Sequence, residues 1–163
     1  MKQLSPADLQ AYMQQNSIPG EFLYLDIPTP TVETAARAVG TQPENIVKSI
    51  LFLVDNQPVL AITCGNHHVD RRPIARKFGV GRKRVKLATP EDVLQLAGFE
   101  VGAMPPFGHL RPIPTLIDRR VMEHNPVYAG GGAENALIRL NPGDIQKATG
   151  AQTMDLWAAS DED

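Results

Sequence analysis

The segment that most constrains the fold is the run at residues 46–54, in which every residue except Lys48 and Ser49 is apolar. Side chains alternate between the two faces of an extended strand, and here both faces are apolar, which is typical of a strand at the centre of a sheet. A turn at residues 55–58 and a second apolar run at residues 59–63 predict its antiparallel partner. The chain is therefore expected to fold around a central hairpin.

Helix and strand signals divide the rest of the sequence into short elements. Side chains suited to begin a helix occur at Ser5, Thr31, Asp70, Thr89 and Asn141. Further strands are expected at residues 21–26, 85–87, 114–118, 126–129 and 136–140. Because strands and helices alternate without βαβ regularity, we expect a mixed α/β fold, with a curved, barrel-like mixed β-sheet surrounded by helices.

Composition places the chain among globular proteins. Its 163 residues, with 42% apolar and 21% charged side chains, suffice to bury a core. We expect a single domain over residues 1–157 and a frayed acidic tail at residues 158–163. No apolar run approaches the roughly 20 residues that span a bilayer, and the N-terminus lacks the apolar stretch of a secretory signal, so we expect a cytoplasmic protein. The single Cys64 excludes an internal disulfide.

Half of the basic residues are concentrated in one part of the sequence. The segment at residues 71–86 contains eight of the 16 lysines and arginines and no Asp or Glu, although the net charge of the chain is -2. Such a local positive surface favours contact with a phosphate backbone, and the competing interpretation is a solvated helix face followed by a basic turn. The residues expected to bind nucleic acid are Arg71, Arg72, Arg76, Lys77, Arg82, Lys83 and Arg84.

Lys48 and the Gly/Pro-rich loop at residues 102–108 together predict a site for an anion or a polarised carbonyl. Burying a cation on an apolar strand is unfavourable, so Lys48 is expected to bind a ligand. The alternative is a structural lysine whose aliphatic stem packs on the strand while its ammonium reaches water. In the loop, Gly102 allows close backbone approach, and Pro105 and Pro106 hold the backbone rigid. Rigid amides that face a carbonyl oxygen would form an oxyanion hole, whereas an ordinary surface connection would have no such role.

Three other kinds of site receive less support. A cysteine, two histidines and an aspartate between residues 64 and 70 could ligate zinc, but adjacent histidines on one strand or turn point apart, and no second cluster of ligands is evident. The glycines at residues 130–132 lack the Lys-Ser/Thr that follows a phosphate-binding loop, so turn glycines are favoured. Ser49 has no His and Asp partners that spacing can identify, so a catalytic triad is not indicated.

The order of the motifs resembles the YbaK/prolyl-tRNA-editing domain family, which comprises the insertion domain of bacterial prolyl-tRNA synthetases and its free-standing relatives. The resemblance extends over roughly residues 25 to 150. It is carried, in order, by Ile46-Val47-Lys48-Ser49, by Val69-Asp70 before the basic helix, by the loop at residues 102–108, and by the segments 114–118, 127–132 and 139–142. It implies the same mixed α/β fold, hydrolysis of the ester of a wrong amino acid on tRNA, typically tRNA for proline, and neither metal nor cofactor.

The resemblance also implies roles for residues. Lys48 matches the lysine that orients the 3'-terminal adenosine or its phosphate, and Gly102 with Pro106 matches the Gly-x-x-x-Pro loop that faces the aminoacyl carbonyl. Lys48, Gly102 and Pro106 are therefore the candidate catalytic residues. The candidate substrate-binding residues are Ser49, Thr63, Phe107, Gly108, His109, Gly131 and Gly132.

One departure from the family pattern bears on the substrate. Synthetase-embedded members commonly carry a histidine where this chain reads Ala-Glu-Asn-Ala at residues 133–136, which weakens any transfer of alanine specificity and leaves cysteine or another small residue open. The expected function is a trans-acting aminoacyl-tRNA deacylase that clears a small amino acid, cysteine or alanine, from tRNA for proline. Its expected partners are the tRNA acceptor stem and prolyl-tRNA synthetase, and a homodimer is left open. The alternative is a non-catalytic accessory module that binds tRNA or an aminoacyl ligand.

Overall fold

The computed structural model describes residues 3–157, so the predicted acidic tail lies outside the described residues. Within them the chain forms helices α1 to α5 at Pro6–Gln15, Val32–Val39, Arg71–Phe78, Pro90–Ala97 and Pro142–Thr149. Strands β1 to β8 are Glu21–Tyr24, Val47–Val54, Gln57–Cys64, Val85–Leu87, Thr115–Asp118, Val127–Gly130, Ala136–Leu140 and Gln152–Met154. No helix in this range is long and apolar enough to cross a membrane.

The predicted helix starts are confirmed, because local hydrogen bonds fix them. The Asp8 N–H donates to Ser5 Oγ at 3.3 Å, and the Ser5 N–H donates in return to the Asp8 carboxylate at 2.8 Å. The predicted capping box of Thr89 and Asp92 has the same reciprocal bonds, at 3.1 and 3.2 Å. These ends depend on residues three positions apart, so they could be predicted without knowledge of the tertiary structure.

The strands form two sheets. The five-stranded sheet has the order β4-β2-β3-β5-β8 and the three-stranded sheet the order β1-β7-β6. Strands β2 and β3 pair antiparallel along their whole lengths, whereas β3 pairs parallel with β5 and β5 parallel with β8. A parallel bridge from Ile46 to Tyr128 links the two sheets. The mixed α/β class is thus confirmed, but the sheets do not close into a barrel, and β8 was not predicted.

The central position of β2 is confirmed by its burial on both faces. Val47 and Leu51 point into the main core, which contains side chains from α1, α4 and α5. Phe52 and Val54 point the other way, into a second core beneath α3. Lys48 interrupts the alternation and is exposed, so the first half of β2 is where the apolar strand gives way to a polar site.

Candidate active site

A pocket of about 210 Å³ lies beside the first half of β2. It forms there because β4 pairs only with Phe52–Val54, which leaves the earlier edge of β2 without a neighbouring strand in this sheet. The wall opposite this edge is made by the loop after α4 and by residues near α2. The residues that line it are Thr29, Pro30, Thr31, Ala35, Ile46, Val47, Lys48, Ser49, Ile50, Val101, Gly102, Met104, Gly130 and Leu137.

Lys48 supplies the positive charge of this pocket. Its side chain is exposed, and within residues 3–157 it forms no hydrogen bond or ion pair. Among the residues that line the pocket it is also the one ionisable side chain. The ammonium is therefore available to a ligand, and no histidine or carboxylate lines the pocket to act as a general base.

The hydroxyl oxygen of the next residue, Ser49, is buried. Its Oγ is inaccessible to solvent and has no hydrogen-bond partner, and no other buried side-chain nitrogen or oxygen in the described residues shares that condition. Buried polar groups are nearly always paired in folded proteins, so an unpaired one in a pocket wall calls for an explanation.

The loop that carries Gly102 is held rigidly against the end of β6. Gly102 has a φ of +92°, a conformation that favours glycine. The Gly132 N–H donates to the Ala103 carbonyl at 3.0 Å. A Cβ placed on Gly130 would lie 2.4 Å from the Met104 carbonyl oxygen, so the two backbones are in direct contact. The glycines at residues 130–132 thus allow this close approach and the turn between β6 and β7.

The rest of the predicted loop residues face away from Lys48. Pro106, Phe107, Gly108 and His109 line a separate pocket of about 190 Å³, behind the loop. Phe107 is 3% exposed, and its ring stacks with Tyr12 at a centroid distance of 6.1 Å. The structure therefore separates Pro106, which the sequence analysis grouped with Lys48 and Gly102, from the pocket that those two residues share.

His109 supports the loop from behind. Its Nε2 lies 2.8 Å from the Pro105 carbonyl oxygen, which can only accept, so Nε2 carries the proton and donates. Burial lowers the pKa of His109, which keeps the ring neutral at neutral pH. The residue is placed to hold the loop conformation, not to exchange protons with a ligand beside Lys48.

The remaining predicted substrate contacts also lie outside the pocket. Thr63 faces Lys48 across the β2–β3 pair but is 1% exposed, and its Oγ1 accepts a hydrogen bond from Trp157 Nε1 at 3.0 Å. Gly131 is buried in the turn after β6, and its N–H donates to the Ala136 carbonyl at 2.9 Å. Gly132 packs near the start of α1.

Sequence reasoning missed a polar cluster centred on Trp157. The indole stacks on His67 at a centroid distance of 3.6 Å, and the Arg120 guanidinium lies 4.3 Å from its ring centroid. Arg120 also pairs with the wholly buried Asp118 at 3.3 Å and with Asp155 at 2.6 Å. Burial raises the pKa of Asp118, and the Leu156 N–H opposes that effect by donating to its carboxylate at 2.8 Å. The cluster fixes the C-terminal segment against the sheet.

The cysteine, histidines and aspartate considered as metal ligands are separated in the structure. Burial raises the pKa of the Cys64 thiol to about 12, so the thiol stays protonated. Asp70 caps α3 by accepting from the Arg72 N–H at 3.0 Å. Residues 3–157 contain no group of three His, Cys, Asp or Glu side chains that could hold a metal ion.

The basic segment forms a surface on α3 and the 3-10 turn Arg82–Arg84. Arg71 is partly buried and its guanidinium lies 5.8 Å from the Phe52 ring centroid, so it contributes to packing. Arg84 pairs with Asp55 at 2.5 Å, and Arg72 pairs with Asp70 at 2.9 Å. The other basic residues in the predicted set are exposed: Arg76, Lys77, Arg82 and Lys83. The turn adjoins the far end of β2, about 20 Å along the strand from Lys48.

Comparisons with known proteins show the family of this chain and solved structures with a similar fold. The family model for the aminoacyl-tRNA editing domain matches residues 27–148. A Bacillus subtilis (strain 168) protein, described as uncharacterized protein YwhH, is 27% identical over 118 residues, which make up 72% of this chain and 73% of that protein. A crystal structure of a candidate trans-editing enzyme for prolyl tRNA synthetase is 31% identical, has a TM-score of 0.88, and covers 98% of this chain and 100% of that one.

Longer relatives match as well. A proline–tRNA ligase from Bacillus pumilus (strain SAFR-032) is 31% identical over 136 residues, which cover 80% of this chain and 24% of the ligase. The chain thus spans about a quarter of that relative's length. The matching region of this chain includes the pocket, the loop after α4 and the basic surface, but ends before Trp157 in the family model.

Proposed function

Because this chain belongs to the aminoacyl-tRNA editing domain family and is therefore a hydrolase of aminoacyl-tRNA esters, we propose that it acts in trans on tRNA for proline that carries a wrong, small amino acid. The observation that carries the proposal is the unpaired Lys48 ammonium beside a pocket walled by the rigid Gly102 loop. The similarity to a trans-editing enzyme for prolyl tRNA synthetase and to proline–tRNA ligases supports the choice of tRNA for proline. We place the activity in the cytoplasm, with prolyl-tRNA synthetase as a partner.

The proposed reaction needs little chemistry from side chains. A water molecule attacks the ester carbonyl carbon, the bond between that carbon and the ribose oxygen breaks, and the ribose oxygen takes up a proton, which leaves a free amino acid and an intact tRNA. Backbone N–H groups of the loop at Gly102 stabilise the negative charge on the carbonyl oxygen, a contribution of roughly 3 kcal/mol for each donor in other enzymes. Lys48 holds the terminal nucleotide in position.

The size of the pocket suits an editing site that admits small amino acids and excludes larger ones. An active site that synthesises prolyl-tRNA cannot strongly reject amino acids that are close to proline in size, so a separate site must clear the resulting errors. A pocket of about 210 Å³ with apolar walls can admit a small side chain. The backbone contact between Met104 and Gly130 fixes one part of the pocket wall.

The proposed activity is tested by measuring hydrolysis of several aminoacyl esters of tRNA for proline. Purified protein is incubated with tRNA for proline charged separately with alanine, cysteine, serine or proline, and the remaining ester is measured over time. We expect rapid loss of at least one wrong ester, with prolyl-tRNA spared. No loss across the panel, with and without prolyl-tRNA synthetase, would contradict the proposal and favour a module that only binds.

The basic surface should affect tRNA binding rather than the chemical step. Replacing Arg82 and Lys83 with alanine is expected to raise KM for misacylated tRNA about fivefold with kcat nearly unchanged, and to reduce the slope of log K against log salt by about two. The matched control is the double variant Arg139→Ala, Lys147→Ala, which removes two exposed positive charges elsewhere. Equal effects of the two double variants would show that the segment at residues 71–86 has no special role.

A further inference from the structure

The part of Ser49 that meets the pocket is its main chain rather than its side chain. The residue lines the pocket and is partly exposed, yet its hydroxyl oxygen is inaccessible to solvent. The side chain shares a face of β2 with Val47 and Leu51, which point into the main core. The exposed surface of Ser49 therefore lies on its backbone, at the edge of the strand.

The hydrogen bonds of β2 show where the N–H and C=O of Ser49 point. In an antiparallel ladder, successive residues direct these two groups alternately towards the partner strand and away from it. The Ile46 carbonyl accepts from the Gly65 N–H, on the β3 side, at 3.0 Å. The Leu51 carbonyl accepts from the Ala88 N–H, on the opposite side, at 3.0 Å. By this alternation both main-chain groups of Ser49 point away from β3.

No described strand pairs with Ser49 at that edge. Further along β2, strand β4 pairs only with Phe52–Val54. At the start of β2, strand β6 is joined through the single bridge from Ile46 to Tyr128, and beyond it the two strands form no further pair within residues 3–157. Ser49 and Gly130 both line the pocket at this place. The edge of Ser49 therefore faces the pocket, although the polar main-chain groups of a strand are normally paired.

The aminoacyl group of the substrate offers the matching pair of polar groups. Two residues that face each other in a hydrogen-bonded antiparallel pair exchange two bonds, because the N–H of each donates to the C=O of the other. An aminoacyl ester carries an α-amino group and a carbonyl oxygen in the same arrangement as a residue of a strand. It can therefore form both bonds with one residue of an open strand edge.

We propose that the main chain of Ser49 binds the aminoacyl group, its carbonyl accepting from the α-amino group and its N–H donating to the ester carbonyl oxygen. This inference rests on the proposed function. The Ser49 N–H is then a second donor to the carbonyl oxygen, which the Gly102 loop approaches from the opposite wall. Ser49 holds atoms that all α-amino acids share, so it positions the ester and leaves the choice of side chain to the other walls of the pocket.

The first experiment measures the binding of substrate analogues that cannot be cleaved. Adenosine is joined through a 3'-amide to alanine, to propionic acid, which lacks the α-amino group, or to β-alanine, which carries it one carbon further away. We expect the wild type to bind the alanyl amide about tenfold more tightly than either of the others, because each of them loses one hydrogen bond. Ser49→Ala keeps the main chain and should show the same ratios.

Three results of this measurement would overturn the proposal. Equal binding of the alanyl and propionyl amides would show that the α-amino group has no partner in the pocket. Equal binding of the alanyl and β-alanyl amides would show that the charge of the amino group matters and its position does not. Loss of the ratios in Ser49→Ala would assign the recognition to the side chain.

The second experiment removes the Ser49 N–H. Ser49→Pro deletes that donor without breaking a bond to β3, and Pro58 already occupies a position of this kind in β3, opposite Leu53. We expect single-turnover deacylation of a wrong ester to fall about 100-fold. The matched control is Leu87→Pro on β4, whose N–H points away from β2 by the same alternation and whose side chain is 56% exposed, and it should retain activity. Equal losses in the two variants would overturn the role of the N–H.

The two experiments also separate this inference from the proposed hydrolysis. The amide measurements use the native strand, so they decide the role of the main chain even if Ser49→Pro does not fold. Discrimination among the amides without hydrolysis of any ester would retain the role of Ser49 and overturn the deacylase proposal. Hydrolysis of a wrong ester by a wild type that binds all the amides equally would retain the deacylase and overturn the role of Ser49.

Discussion

Replacing Lys48 with alanine is expected to lower kcat/KM for misacylated tRNA by about 100-fold or more. The ammonium is the one ionisable group that lines the pocket, so nothing nearby can replace it. Because Lys48 is exposed and has no hydrogen bond or ion pair within residues 3–157, the free energy of unfolding should change by no more than about 0.5 kcal/mol. The measurements are single-turnover deacylation of a wrong ester and urea unfolding.

Two further variants show whether the effect belongs to the position of Lys48. Lys147→Ala removes an exposed lysine from α5 and should leave deacylation unchanged. Lys48→Arg keeps the charge but changes the shape and the number of donors, so we expect partial activity. A Lys48→Ala protein that retained more than about a tenth of wild-type activity would remove the ammonium from the mechanism.

Replacing Gly130 with alanine is expected to destabilise the protein by about 3 kcal/mol and to abolish deacylation. The new Cβ would lie 2.4 Å from the Met104 carbonyl oxygen and 2.9 Å from its carbon, and both atoms belong to the backbone. Since no side chain can rotate to relieve the contact, the loop that carries Gly102 must move away from β6. Thermal unfolding and single-turnover deacylation measure the two effects.

Gly81 offers the matched control for that variant. It has a φ of -71°, and a Cβ placed on it would meet nothing within 4 Å. Gly81→Ala should therefore leave activity intact and stability equal or slightly higher, because alanine restricts the unfolded chain. Equal unfolding midpoints for the two variants would show that the loop yields easily, and the rigid-loop argument would then fail.

Secondary structure could be predicted from the sequence where it depends on residues that are close along the chain. Ser5 and Thr89 begin helices through bonds to residues three positions later, so their roles were predictable. The central hairpin was predictable because both faces of residues 46–54 are apolar. Strand β8 was missed because Gln152–Met154 is three residues long with one apolar side chain, too short for a strand pattern, and it pairs with β5 only through the tertiary fold.

The candidate site was harder to predict, because the two sides of one loop have different surroundings. Nothing in the order of residues 102–108 shows that Gly102 faces Lys48 while Phe107 packs on Tyr12. The unpaired state of the Ser49 hydroxyl is likewise a property of packing, since it depends on every neighbour in space. Gly130 is one missed residue of the site that the sequence could have indicated. A glycine at the end of an apolar strand is typical of a place where another backbone approaches closely.

The placement of Trp157 gives the protein a built-in spectroscopic probe. It is the only tryptophan in the chain, and its indole N–H bonds to Thr63, the residue that faces Lys48 across the β2–β3 pair. Tryptophan emission therefore arises from one position, one strand away from the site lysine. A change in the geometry of that strand pair alters the surroundings of the only emitting indole, so any such change on ligand binding can be followed in real time without attaching a dye.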